Sequence, residues 1–299
     1  PIAHGNDGGG SIRIPAACCG LVGLKPSRGR TKDNAAAASI PINIISEGVL
    51  TRSVRDTAAF FYGIEQIYQN PKLPPIGRVE GPGKKRLRIG VVIDSITGTP
   101  TDTETRATIE KTVQLLSAMG HRVETMPLPV ASEFLEDFAL YWGFLAVLIT
   151  GFGRIAVSPD FDTHKIEPLT RGLIDYYRKR ILKTPGMFIR MAQADKTYTE
   201  AFQGWDAVLT PVTGHTVPRL GHLSPSLSFE ELWERLKAYV SFTPLNNAAG
   251  TPAISLPMGM TQEGLPIGVM LQTIPGGERT LLELAYELEA AHPWVKITQ

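Results

Sequence analysis

Cysteine is almost absent from this 299-residue chain, and the two it has, Cys18 and Cys19, are neighbours. Adjacent cysteines rarely meet disulfide geometry, so no cross-linked framework is expected. We read a reducing, intracellular (cytoplasmic) protein in which both are small buried apolar side chains. A charge excess is missing too. The net charge is +1, which gives no electrostatic reason to expect nucleic acid or an anionic membrane as partner. Long hydrophobic runs are also scarce. The longest, Phe138 to Thr150, falls short of the roughly 18 residues a bilayer span needs. It reads as a buried helix or, functionally, as the apolar wall of a substrate channel. The six histidines show no ligand spacing, so no metal site is expected. Finally, there is no initiator methionine and no targeting segment. Pro1 leads straight into a glycine-rich loop, which predicts an N-terminal part ahead of these residues.

What the chain does have is 43% hydrophobic residues, enough for a large core as one domain or two. Apolar pieces at Ile12, Ile14, Leu21, Val22 and Leu24 predict short buried strands joined by tight turns across residues 4–30. The spacing from Ser53 to Ile67 predicts a capped helix, and residues 70–85, rich in proline and glycine, a surface connection. Leu87–Ile93, Thr103–Met119 and His121–Met126 then read as strand, amphipathic helix and strand, a β-α-β unit that argues for an α/β fold. Residues 130–205 read as a helical cap or insertion within a single domain spanning 1–299. Short strands at Ala207–Leu209, Ala253–Leu256 and Ile267–Leu271 follow, and Glu278–Ala291 is an amphipathic terminal helix. The alanines at 35–38 read as a small-residue loop.

The chemistry concentrates in Gly5-Asn6-Asp7-Gly8-Gly9-Gly10-Ser11-Ile12-Arg13. Three consecutive glycines let backbone N–H groups converge on one space, and a serine directly after them sets a hydroxyl beside those donors. Acyl transfer needs that pairing, because an attacked carbonyl becomes an oxyanion that must be held next to the nucleophile. Asp7 and Arg13 flank the loop with opposite charges, and a buried pair there would brace it. No phosphate-binding G-x-x-x-x-G-K-[ST], no dinucleotide fingerprint and no G-x-S-x-G elbow occurs. On residues alone, a nucleophilic Ser11 and a purely structural glycine turn both stay open.

The stretch GNDGGGSIRIPAACCGLVGLKPSRGR resembles the core of the amidase signature family. So do Glu47–Asp56, Asp206–Pro211, Asn246–Pro257 and Gly264–Val269, and the opening is similar to bacterial members that act on linear or cyclic nylon oligomers. The resemblance implies an α/β fold with a mixed, twisted central sheet and helices on both faces. It also implies amide hydrolysis of a small or linear carboxamide through a serine acyl-enzyme, with no cofactor and no metal. Ser11 matches the family's nucleophile, and Gly8, Gly9 and Gly10, with Ser11 itself, match its oxyanion donors. The family's second serine and base lysine lie upstream of this motif, so residues 1–299 alone are expected to be inactive. Lys25 matches a structural lysine. Asn6 and Glu47 depart from the pattern, and Glu47 argues against a glutamine-amidotransferase subunit. The partners left open are a small-molecule amide, a second copy of the chain, or a chain supplying the N-terminal part. The alternative reading is a catalytically silent fragment or subunit that binds a partner chain. Tyr141, Trp142 and Phe144 are expected to contact substrate.

Overall fold

The structure, a computed structural model, describes residues 2–127, 130 and 133–295. Pro1 and residues 131 and 132 of the expected cap lie outside this set. Eight strands among the described residues form one sheet, in the order β1-β3-β2-β7-β8-β6-β4-β5. They are β1 (Ala3–Asp7), β2 (Val22–Lys25), β3 (Ser46–Thr51), β4 (Arg88–Val91), β5 (Arg122–Thr125), β6 (Ala207–Pro211), β7 (Ala253–Met260) and β8 (Pro266–Gln272). Only β4 with β5 and β4 with β6 pair in parallel; the other pairs are antiparallel, so the sheet is mixed as expected.

Strand alternation sends residues to two different layers. Val22, Leu24, Ile254, Leu256, Val269 and Leu271 share one core with α3 (Val54–Glu65), α4 (Thr103–Ala118) and α11 (Glu278–Ala291). Both α3 and α4 begin where their sequences ask: Ser53 Oγ accepts from Asp56 N (3.3 Å), and Asp102 Oδ1 accepts from Thr105 N (2.7 Å). The opposite face, with Val208, Ala253 and Met270, meets α1 (Arg13–Cys18), α8 (Ala194–Ala201) and α10 (Pro244–Ala249). The remaining helices are α2 (Ala35–Ser39), α5 (Phe134–Ala156), α6 (Pro168–Arg178), α7 (Thr184–Ala192) and α9 (Phe229–Tyr239).

Several expectations change. The first 30 residues are not all strand, because α1 interrupts them. Its residues Ala16 and Ala17 lie so close to the sheet that a Cβ on Gly23 would sit 2.6 Å from Ala16 Cβ, and one on Gly268 would sit 2.5 Å from Ala17 Cβ. The alanine run at 35–38 is helical rather than a loop, since Asn34 Oδ1 accepts from Ala37 N and caps it. Cys19 is exposed and Cys18 half-buried, because Ala16 and Ala17 take the sheet side of α1. The proline-rich connection runs largely at the surface, as expected, but it is anchored. Glu65 accepts from the amides of Ile76 (2.5 Å) and Gly77 (2.8 Å), and Ile76 and Val79 enter the core.

The apolar run at 138–150 extends into the 23-residue α5, since Gly153 continues the helix against the ring of Phe161. By length and composition alone, the stretch Phe134–Ile155 would suffice to cross a bilayer. Its first half is nevertheless packed inside the protein through Phe138, Leu140 and Tyr141.

Since Gly268 makes room for α1, Gly268→Ala should destabilise the fold by about 1–3 kcal/mol, the usual cost of overpacking. Urea unfolding against the parent protein measures it, and an unchanged midpoint would mean that α1 moves away freely.

Candidate active site

The glycine loop runs from the end of β1 to the start of α1, and one carboxylate organises it. Asp7 is fully buried. Its Oδ1 accepts from Gly10 N (2.6 Å) and its Oδ2 from Ile12 N (3.2 Å). Arg13, also fully buried, grips the same carboxylate with Nε (2.9 Å) and Nη2 (3.0 Å). Burial by itself would raise the Asp7 pKa, but the Arg13 guanidinium outweighs it and holds the carboxyl well below the usual carboxylate value. The expected brace is therefore present.

Two side chains that the sequence reading did not single out complete it. Asn246 Oδ1 accepts from Arg13 Nη1 (3.0 Å), and Asn247 Oδ1 accepts from Arg13 Nη2 (2.6 Å). Asn247 Nδ2 then donates to Asp7 Oδ1 (2.9 Å), to the Asp7 carbonyl (2.6 Å) and to the Ile44 carbonyl (3.0 Å). Asn246 Nδ2 donates to Gln272 Oε1 (2.7 Å) and Thr251 Oγ1 (3.0 Å). A guanidinium has five N–H donors, and a carboxylate cannot take them all. That arithmetic was the available signal that further buried acceptors had to exist.

Gly10 needs its glycine, because its φ is +136° and an added Cβ would sit 2.5 Å from Thr243 Oγ1. Thr243 Oγ1 in turn donates to the Gly9 carbonyl (2.6 Å). At Gly9 an added Cβ would fall 2.8 Å from the Trp142 ring, so α5 leans directly on the loop. Ser11 follows in a turn and is exposed, and no hydrogen-bond partner for its hydroxyl occurs among the described residues. The Gly10 amide is engaged by Asp7, so Gly8, Gly9 and Ser11 are the loop amides not taken by that carboxylate.

Lys25 is fully buried, donating to the Pro26 carbonyl (2.8 Å) and reaching Ser46 Oγ (3.4 Å). Burial, reinforced by the charge of Arg13, lowers its pKa well below that of a free lysine. No bond joins it to Ser11, in keeping with a structural role. His4 is exposed against Glu47 (2.7 Å), and His215 rests on the ring of Tyr239. Among the described residues no group of three metal-ligating side chains is found. Of the three aromatics expected at substrate, Tyr141 is buried with its hydroxyl between Ile42 N (2.9 Å) and Ile42 O (2.6 Å). Phe144 packs against Tyr141, Tyr177 and Phe188, so both belong to the core of the helical layer. Only Trp142 reaches the loop.

Comparison with known proteins identifies the family. The family model described as Amidase matches residues 1–282. A protein of Mycobacterium leprae named "Putative amidase AmiC" is 46% identical over 298 residues, 99% of this chain and 63% of that protein. The 6-aminohexanoate-cyclic-dimer hydrolase of Paenarthrobacter ureafaciens is 31% identical, across 99% of this chain and 64% of its own length. A solved structure of 6-aminohexanoate cyclic dimer hydrolase superposes with a TM-score of 0.82 at 28% identity, covering 98% of this chain and 65% of that one. The chain thus spans somewhat under two thirds of the length of these relatives.

Asp7→Asn would leave the Arg13 charge buried without its counter-ion and should cost about 3–5 kcal/mol of stability. The pH dependence has a definite sign. A carboxyl depressed on folding contributes stability that is fully present above its unfolded value of about 3.9 and is lost as pH falls through the folded value. Replacement by Asn should therefore flatten the acid limb of the stability–pH curve, which denaturant titration between neutral and acid pH reads directly.

Proposed function

The chain belongs to the amidase family, and we propose that it carries the nucleophile and oxyanion loop of an amide hydrolase, with Ser11 forming the acyl-enzyme. The observation that carries this reading is the exposed Ser11 hydroxyl, held beside unengaged loop amides by a brace that ties down Asp7, Gly10, Ile12 and Gly9. In the first step the Ser11 oxygen bonds to the amide carbonyl carbon and its proton passes to a base. The negative charge then on the carbonyl oxygen is met by the amides of Gly8, Gly9 and Ser11. The C–N bond breaks, the amine leaves with a proton, and water cleaves the resulting ester to release the acid and restore the hydroxyl. The base in this reading is the serine–lysine pair that the family resemblance sets ahead of the loop. Lys25, fully buried and bonded to Pro26 and Ser46 and not to Ser11, does not serve it.

The substrate is a small or linear carboxamide, and the setting a reducing cytoplasm, in line with two unpaired cysteines among the described residues. Residues 130–205 act as a cap whose helix α5 borders the loop. A silent subunit would not call for an exposed serine at the focus of so complete a brace, and no observation favours that alternative.

Treating the full-length protein with a fluorophosphonate should add one adduct by intact mass, absent in Ser11→Ala. Equal labelling of both proteins would remove Ser11 from the mechanism. Gly9→Val, pressed against Trp142, should lower the rate about 10²–10³-fold, the usual loss of one oxyanion donor, while the protein stays folded. Turnover near that of the parent would mean that the loop only shapes the fold.

A further inference from the structure

Cys18 and Cys19 stand at the far end of α1 from Arg13, and the proposed reaction uses neither. Ala16 and Ala17 take the sheet side of that helix, which turns the next two side chains away from the sheet. The backbone beneath them is fixed. Cys19 N donates to the Pro15 carbonyl (3.0 Å) and Leu21 N to the Ala16 carbonyl (2.9 Å), and Gly20, at φ +64°, closes the turn. Each thiol therefore hangs from an ordered chain by one rotatable bond. Cys19 is exposed, and Cys18 is half-buried with its Sγ 3.0 Å from the Tyr239 hydroxyl. Tyr239 is buried and backed by the His215 ring at 4.7 Å, so it marks the inner limit of the pair. Burial raises the Cys18 pKa above that of a free thiol, the Tyr239 bond opposes the rise, and the nearby Cys19 thiol adds to it.

What two neighbouring sulfurs can hold follows from bond geometry. A disulfide needs an S–S distance of about 2.05 Å and a dihedral of about 90°, which adjacent residues rarely reach. A bridging atom relaxes both demands, since at bonds of about 2.3 Å meeting at roughly a right angle the sulfurs stand roughly 3.3 Å apart. Thiolates select soft partners. Zinc wants four ligands, and among the described residues no third histidine, cysteine or carboxylate joins the pair. Linear ions such as Cu(I) ask for sulfurs on opposite sides, which two side chains on one turn do not offer. A trivalent arsenic that already carries an organic group is pyramidal and needs two sulfurs only.

We infer that Cys18 and Cys19 form a chelating site for trivalent organoarsenicals, closed by rotation of the Cys18 side chain away from Tyr239. In the step, two S–H bonds and the arsenic–oxygen bond break, two As–S bonds form, and the thiol protons leave on that oxygen as water. No atom changes oxidation state, so no oxidant or reductant is consumed. Once one sulfur has bonded, the second reacts within the same turn, which makes the ring far tighter than either As–S bond alone. The site is independent of the Ser11 reading, because it lies at the other end of α1 and capture needs no turnover.

Full-length protein, reduced and freed of small thiols, is treated with phenylarsine oxide, and its intact mass is compared with that of Cys18→Ser/Cys19→Ser. The parent should carry one phenylarsenic group more than the double variant, and both thiols should be lost to iodoacetamide. Ethanedithiol should strip the group, whereas mercaptoethanol at the same thiol concentration should not. Each single variant, Cys18→Ser or Cys19→Ser, should lose affinity about 10²–10⁴-fold, the share that chelation contributes. Thermal unfolding checks that the variants fold, and the dithiol-against-monothiol comparison on the parent stands whatever they do. Equal uptake by parent and double variant, release by the monothiol, or a single variant that binds as tightly as the parent would overturn the chelate.

Discussion

The ion pair between Asp7 and Arg13 is the constraint on which the rest of the site depends. Both side chains are completely buried, and taking two charges out of water costs several kcal/mol per ion unless every remaining donor and acceptor is satisfied. The protein satisfies them with Asn246 and Asn247 at one end and with the loop's own amides at the other. The amides of Gly10 and Ile12 flank Ser11, so the carboxylate that balances Arg13 also fixes the backbone on both sides of the serine. Loop shape and charge compensation are a single requirement here.

This arrangement explains why the glycines are not equivalent. Gly10 is held in a left-handed conformation with its amide directed at Asp7, which bends the chain so that Ser11 emerges at the surface. Gly9 is small because the Trp142 ring occupies the place of its side chain, and its carbonyl is tied by Thr243. Three residues that look alike in sequence thus sit in different surroundings: Gly10 shapes the loop, Gly9 admits a neighbour, and the Gly8 amide stays clear of the Asp7 carboxylate.

How much of this was legible depends on the range of the interaction. The β-α-β unit and the terminal helix were readable because their hydrophobic periodicity is local and their caps, such as Asp102 and Ser53, lie next to the helices they start. The Asp7–Arg13 brace was legible because opposite charges six residues apart flank a loop with no other anchor. Helix α1 was missed because six residues rich in small side chains carry no clear period, and its stability comes from contact with Gly23 and Gly268. The Asn246–Asn247 pair was missed because it lies more than 230 residues from its partners, and nothing local marks an amide as a future acceptor. Trp142 was picked with its neighbours for bulk, but only helical phase separates the ring that meets the loop from Tyr141 and Phe144, which face the core.

The same long range has a consequence for how the site comes into being. A second buried cluster joins the same two regions of the chain, with Arg30 bridging Glu65 (3.2 Å) and Glu278 (2.9 Å) while Ser27 N donates to Glu278 (2.8 Å). Strand β2 between them pairs with β7, so residues 7–30 are held to residues 246–278 by a ladder and by two buried polar clusters. Contacts of such separation form only after the cost of closing the intervening chain has been met, and a lone buried charge is unfavourable until its partners arrive. Before that point the glycine loop is among the most flexible stretches the sequence could contain, since three glycines in a row prefer no single conformation. The positioned serine is therefore a product of the completed sheet and not of local preference, and the groups that hold it are drawn from both ends of the chain for that reason.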